Sequence, residues 1–298
     1  MCIRDRYSMT EVISIGSGII APFLVVLRES IEAALIVGIM WAYLDKTNNK
    51  EYQKYLVYGT ISAIVLSLVL GGGIVILLGE LAGFWEKLFE GVASISATLV
   101  LSYVIIWMSK HARTIKSEIE GQLAYGITKS YRSKTSVQAI FILAFVAVAR
   151  EGLETVLFLT PLLSIDLGST ILGSILAIIL ALALSLAAKR QIYALDIGKF
   201  FKYTSLILIV FAAGLFGYGI HEMVEAAEIM EIENPLFEKA WDINPESKEH
   251  PLHEKGSIGV WFKALVGYDG NPEWIRVIGY VAYWLWAGSF YRKTFGKY

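Results

Sequence analysis

The sequence predicts an all-α integral membrane protein of seven transmembrane helices, built as an inverted 3+3 helix repeat with a seventh helix outside it. Three observations carry this reading. The 298-residue chain is 56% hydrophobic and only 18% charged, where ordinary globular domains are about 25% charged. Long uncharged runs recur along it, and one patterned stretch occurs twice, in the first and in the fourth of the apolar segments.

A helix crossing about 30 Å of hydrocarbon needs about 20 mainly apolar residues. Residues 56–78, 169–188 and 203–220 qualify without a single charge, and 92–108 does so with Phe89 and Gly91 extending it. Residues 19–43 and 137–163 are long enough but carry charges in their middles, while 274–291 is thick with aromatics and holds only Arg276 near its start. The expected organisation is an external N-terminal segment over 1–18, a first three-helix unit over 19–108 and a basic cytoplasmic loop over 109–136. A second, inverted unit over 137–224, an acidic external loop over 225–273, and a seventh helix with cytoplasmic tail over 274–298 complete it. The first eight residues are charged with no apolar core behind them, unlike a signal peptide, and are set aside as an extraneous appendage. A single cysteine, Cys2, excludes a disulfide framework and a thiolate metal cluster.

Basic residues sort by side, because short cytoplasmic loops retain Lys and Arg. Lys46, Lys50 and Lys54 follow the first helix, Lys110, Arg113, Lys116, Lys129, Arg132 and Lys134 follow the third, and Lys189, Arg190, Lys199 and Lys202 follow the fifth. Arg292, Lys293 and Lys297 close the tail. These segments share one face, which puts the C-terminus in the cytoplasm and the N-terminus outside a multi-pass protein of the plasma (inner) membrane. The opposite loop, from Glu225 to Glu273, is rich in carboxylates. Singly these are ordinary solvated charges, but together they concentrate cations at the outer mouth.

The repeat aligns Val26-Leu27-Arg28-Glu29-Ser30-Ile31-Glu32-Ala33-Ala34-Leu35 with Val148-Ala149-Arg150-Glu151-Gly152-Leu153-Glu154-Thr155-Val156-Leu157. Val, Arg, both Glu and the last Leu coincide. The copies lie three helices apart, an odd number, so the two units run oppositely through the bilayer. The second helix carries small residues at Gly59, Ala63, Ser67 and Gly71, and the fifth at Ser169, Gly173, Ala177, Ala181 and Ser185. Small residues at this spacing let helix backbones approach closely in lipid. Inverted repeats of this kind build secondary transporters, with the site at the repeat interface near the midplane.

Residues three and four apart share a helix face, so Glu29 neighbours Glu32, Arg28 lies beside Glu32, and Arg150, Glu151 and Glu154 repeat the arrangement. At about 1.5 Å rise per residue, both motifs fall roughly 20 Å inside their helices. A charge at mid-membrane costs about 2.5 to 3.5 kcal/mol on the insertion scale, so six uncompensated ones cost on the order of 15 to 20 kcal/mol. If each Arg merely paired with a Glu, two of the four glutamates would still be left over. That residual negative charge suits a bound cation, and all-oxygen donors without Cys or His favour a hard one.

Two Arg-Glu-x-x-Glu motifs on the first and fourth of seven helices resemble the oxidase-dependent high-affinity iron permease family, also grouped as iron/lead transporters, over residues 13–291. The resemblance implies that Glu29, Glu32, Glu151 and Glu154 bind the metal, with Arg28 and Arg150 as charge partners, and that iron is a transported substrate rather than a cofactor. It also implies ferric iron formed by oxidation of ferrous iron, as in fungal members served by a multicopper oxidase. A separate ferroxidase or periplasmic iron-delivery protein is then the expected partner, besides the lipid bilayer; no cofactor, enzymatic activity or nucleic acid is expected. Transport of another cation such as lead is the alternative, as is a membrane-embedded di-metal carboxylate enzyme. The latter usually pairs Glu-x-x-His, and neither motif helix contains His. A retinal-type receptor is excluded by the lack of Lys between 274 and 291.

At the outer end of the sixth helix, His221, Glu222 and Glu225 can share one face and form a candidate access site. The alternative there is an ordinary polar helix end. His111 with Glu118 and Glu120 is a weaker candidate for an exit site, and His250 and His253 read as surface. Trp85, Trp107, Trp274, Trp284 and Trp286 fall near span ends, where aromatic rings sit at headgroup level. Pro22 and Pro161 lie on the motif helices, where proline bends a helix.

Overall fold

The computed structural model describes residues 2–111, 115–128, 134–188, 197–247, 250–253 and 259–295. Within helices, side chains are not described for 2–17, 108–111, 115–116, 125–128, 134–136, 187–188, 197–203, 260–261, 264–265, 291 and 294–295. The side chains of the expected appendage, of His111 and of Lys199 and Lys202 therefore lie outside the described residues, as do Lys189 and Arg190 altogether. The fold is all-helical: α1 (Cys2–Lys46), α2 (Gln53–Glu80), α3 (Phe84–His111), α4 (Ile115–Thr128), α5 (Lys134–Ile165), α6 (Leu167–Ala188), α7 (Ile197–Ile229), α8 (Gly259–Val266) and α9 (Trp274–Phe295). Among the described residues the only β feature is an isolated bridge between Lys239 and Glu273.

Each stretch predicted to span lies inside a helix, namely α1, α2, α3, α5, α6, α7 and α9. Among the described residues, four stretches are long and apolar enough to cross a membrane: Lys50–Glu80, Phe84–Trp107, Leu167–Leu186 and Thr204–Ile229. The motif charges interrupt the apolar windows of α1 and α5, and Arg276, Arg292 and Lys293 bracket a shorter one in α9. The backbone of α1 begins at Cys2, well before residue 19. The helix α7 continues to Ile229, so Glu225 and Glu228 stand on a helix rather than in the acidic loop. Two helices, α4 and α8, lie in segments read as loops; at 14 and 8 residues they are too short to cross a membrane.

Between α5 and α6 the chain turns within one residue, Asp166, whose carboxylate accepts from Ser169 N at 3.1 Å and from Ser169 Oγ at 2.5 Å. This is an N-terminal cap on α6. The Ser169 hydroxyl, outweighing partial burial, holds the Asp166 carboxyl below its ordinary range.

Three pairings organise the bundle: α2 packs along α5, α6 along α1, and α3 along α7, with α1 and α5 also in contact. Glycine makes the approaches close. A Cβ on Gly59 of α2 would lie 2.5 Å from the Phe141 carbonyl oxygen, 3.0 Å from Ala144 Cβ and 3.1 Å from Phe145 N. On Gly173 of α6 it would lie 2.6 Å from the Ile19 carbonyl oxygen, 3.0 Å from Pro22 Cγ and 3.2 Å from Phe23 N. Gly91 of α3 and Gly219 of α7 face each other reciprocally, each hypothetical Cβ lying 3.1 Å from the other's carbonyl oxygen. Ala63 and Ala177, one turn beyond Gly59 and Gly173, are fully buried. The opposite faces of α2 and α6 expose Leu68, Val69, Ile76, Ile179, Leu182 and Leu186, as helices bordered by lipid do.

Overpacking a tight contact costs about 1 to 3 kcal/mol. Gly59→Val and Gly173→Val are each expected to lower the unfolding temperature of the purified protein in detergent. Gly72→Val on the same helix, with nothing within 4 Å of its Cβ position, is expected to lower it far less.

Candidate metal centre

The two Arg-Glu-x-x-Glu motifs are brought together by the contact between α1 and α5. Arg28, Glu29, Glu32, Glu151 and Glu154 are all buried. On α1, Arg28 pairs through Nη1 with the Glu29 carboxylate and through Nη2 with Glu32 Oε1 at 2.7 Å. On α5, Arg150 Nε donates to Glu154 Oε1 at 2.9 Å. One carboxylate oxygen from each of Glu29, Glu32 and Glu151 lies within 4.8 Å of the others. Glu154, one turn along α5, flanks this trio but is not within the same radius.

Several oxygens in this cage have nothing to bond. Among the described residues, Glu29 Oε2, Glu151 Oε2 and Glu154 Oε2 are buried without a hydrogen-bond partner, and Glu32 Oε1 faces Arg28 without an aligned hydrogen bond. A buried carboxylate oxygen left unpaired is costly, and several converging at one point form the donor set that a hard cation would satisfy.

The two arginines differ. Arg28 is sealed, with its side chain 2% exposed, whereas the Arg150 side chain is 42% exposed. Arg150 also stacks its guanidinium over the Trp107 ring, 4.4 Å from the centroid, a cation–π contact. Trp107, read from the sequence as a headgroup anchor, thus also bears on a motif residue.

The cluster near the C-terminal end of α7 contains more than the sequence suggested. His221, Glu222 and Glu225 offer ligand atoms within 4.8 Å of one another, and His221 Nε2 lies 3.2 Å from Glu225 Oε1. Its other ring nitrogen, Nδ1, lies 2.9 Å from Glu273 Oε1. Lys87, from the first turn of α3, reaches Glu222 Oε2 at 2.9 Å and Glu225 Oε2 at 2.7 Å. Tyr218 donates to Glu90 Oε2 at 3.0 Å, and Glu90, Glu222 and Glu273 are buried. Burial pushes the Glu273 carboxyl upward, but the His221 contact and nearby Arg276 outweigh it and hold the group below its ordinary range. Lys87, Glu90, Tyr218 and Glu273 were not picked out from the sequence, where Lys87, Glu90 and Glu273 are isolated from any motif and Tyr218 lies three residues before His221. The one available signal was acids and a lysine one to two turns from the ends of apolar runs.

The other candidates fare differently. Glu118 is exposed and Glu120 half-buried on α4, with the His111 side chain outside the described residues. His250 is exposed as expected, but His253 is buried, against the surface reading. The chain turns there, His253 N donating to the His250 carbonyl oxygen at 2.9 Å.

An all-helical chain with membrane-length apolar helices and a buried cage of carboxylates is a transmembrane transport protein in architecture. Residues 19–293 match the Iron permease FTR1 family, and the chain belongs to that family. It is 37% identical over 262 residues to an uncharacterized protein of Archaeoglobus fulgidus, covering 87% of this chain and 90% of the relative. It is 32% identical over 263 residues to the ferrous iron permease EfeU of Yersinia pestis, covering 88% and 89%. With EfeU of Escherichia coli O6:H1 the identity is 32% over 264 residues, covering 88% and 90%. No solved structure matches the chain.

Proposed function

We propose that this iron permease imports iron through a site formed by Glu29, Glu32, Glu151 and Glu154, with Arg28 and Arg150 as charge partners. The observation that carries the proposal is the set of buried carboxylate oxygens without partners where α1 meets α5. Four glutamates against two arginines leave negative charge that a cation neutralises, and a structural lock would not need the excess.

The site lies between two inverted three-helix units, α1–α3 and α5–α7, in a seven-span protein with α9 outside the repeat. The packing supports this: exchanging the units turns the α2–α5 pairing into α6–α1, and maps α3–α7 and α1–α5 onto themselves. The glycine contacts agree in detail, since Phe141, Ala144 and Phe145 stand to the second motif as Ile19, Pro22 and Phe23 stand to the first. The N-terminus is outside and the C-terminus in the cytoplasm of the plasma membrane, following the basic loops. His221, Glu222 and Glu225 then lie at the external end of α7, as an access site.

All-oxygen donors favour the harder ferric ion, formed by oxidation of ferrous iron by a separate ferroxidase or received from a delivery protein. The bacterial relatives carry the name ferrous iron permease, which points to the other oxidation state. The assay that decides is uptake of radioactive iron into proteoliposomes, with ferrous iron held reduced under anaerobic ascorbate and ferric iron offered as its nitrilotriacetate complex. Saturable uptake of the ferric form is expected. Uptake confined to the ferrous form would overturn the oxidation-state assignment, and uptake of neither would overturn the permease reading for the chain acting alone.

A further inference from the structure

Lys87 occupies the place in the outer cluster where an arriving cation would sit. Its ammonium lies between Glu222 Oε2 at 2.9 Å and Glu225 Oε2 at 2.7 Å, and these two residues with His221 present ligand atoms within 4.8 Å of one another. Glu273 adds a fourth group: its Oε1 meets His221 Nδ1 at 2.9 Å, while its Oε2 is buried with no partner among the described residues. That orphaned oxygen belongs to a side chain only 9% exposed. Glu222, Glu225 and Glu273 thus carry three formal negative charges, and Lys87 is the one formal cation paired with this group among the described residues. The neighbouring Arg276 is engaged by Asp269.

The kind of cation matters. A lysine ammonium is a compact point charge on a flexible stem, without the fixed fork by which arginine locks onto a carboxylate. The Lys87 side chain is 29% exposed, so it has a route to water when displaced. Leaving, it frees two carboxylate oxygens beside an imidazole and an unpaired carboxylate oxygen, a mixed oxygen and nitrogen donor set suited to a multivalent transition-metal ion.

We propose that Lys87 is a tethered stand-in cation that closes the outer site, and that iron binds there by displacing it onto Glu222, Glu225, Glu273 and His221. This rests on the reading of His221, Glu222 and Glu225 as the access site and adds to it a ligand, Glu273, and a built-in competitor. The exchange swaps one positive charge for two or three, so it favours multivalent ions over sodium or potassium, which gain nothing over the ammonium already in place. The outer mouth thereby selects by charge before any ion reaches the cage.

Competition by a resident group lowers apparent affinity by the fraction of time the site is open. The test is equilibrium binding of radioactive iron, as ferric nitrilotriacetate, to the purified full-length protein carrying Glu154→Ala, so that the cage contributes as little as can be arranged. Adding Lys87→Met is expected to tighten binding about tenfold, while Lys87→Arg stays near the parent or weakens. Unchanged or weaker binding with Lys87→Met would overturn the proposal and make Lys87 a strut between α3 and α7. A second readout uses the unmutated chain: acetylation of Lys87 by acetic anhydride, followed by mass spectrometry, is expected to speed up when iron is added. A rate that is unchanged or slower would equally overturn it. Loss of transport in proteoliposomes with intact iron-dependent exposure of Lys87 would instead count against the permeation path through the cage.

Discussion

Glu154→Ala, inserted in the membrane at the parent's level, is expected to reduce iron uptake by about two orders of magnitude or more, as is Glu32→Ala. Losing a group that merely supports a metal ligand already costs about 10- to 100-fold, and these side chains are proposed to be ligands themselves. The two substitutions act through different contacts. Glu32 shares Arg28 with Glu29, so its removal leaves Arg28 still paired, and the change falls mainly on the cage. Glu154 is the partner of Arg150, so its removal also releases a half-exposed guanidinium. Equal losses of uptake with unequal changes in stability are the expected pattern, read by radioactive iron uptake beside thermal unfolding in detergent. Uptake close to the parent's with either variant would remove the four-glutamate path from the mechanism.

The second large effect separates the two arginines. Removing one partner of a buried pair costs about 3 to 5 kcal/mol because the other charge is left uncompensated. Arg28→Met is expected to approach that loss, since Arg28 is sealed and serves both Glu29 and Glu32. Arg150→Met should cost much less. Its side chain is 42% exposed and holds one carboxylate, so water screens the pair from the Arg150 side and weakens it toward the small contribution of solvated pairs, although the Glu154 carboxylate is itself buried. Trp107 adds a cation–π contact worth about 0.5 to 2 kcal/mol, so some loss remains. Unfolding of both variants in the same detergent measures the difference. Equal destabilisation would mean that the two motifs are equivalently enclosed.

Much of the helical framework was legible in the sequence because a bilayer forces long apolar runs to be helical. Residues 56–78 and 169–188 could hardly be anything else, and both lie inside helices, α2 and α6. The motif residues were legible for the complementary reason: charges such as Arg28 and Glu151 amid apolar neighbours have no cheap structural purpose. The cluster around His221 was only half legible. His221 and Glu225 stand four apart on one helix and can be paired by spacing, whereas Lys87 and Glu273 come from α3 and from the residue before α9. Only tertiary packing brings Lys87 to Glu222 and Glu225, and Glu273 to His221, and no local periodicity encodes that. The unequal burial of Arg28 and Arg150 was equally hidden, because the two motifs read alike and the difference arises from what packs around them.

The bare backbone crossings at Gly59 and Gly173 have a mechanical consequence. Where main chains touch without an intervening side chain, the seam tolerates rotation about the contact point. Translation by even one turn would drive a Cβ-bearing neighbour into a carbonyl group. Sliding of α2 along α5 or of α6 along α1 is thereby opposed at both crossings, whereas tilting about them leaves the close contacts in place and moves most the helix ends farthest from them.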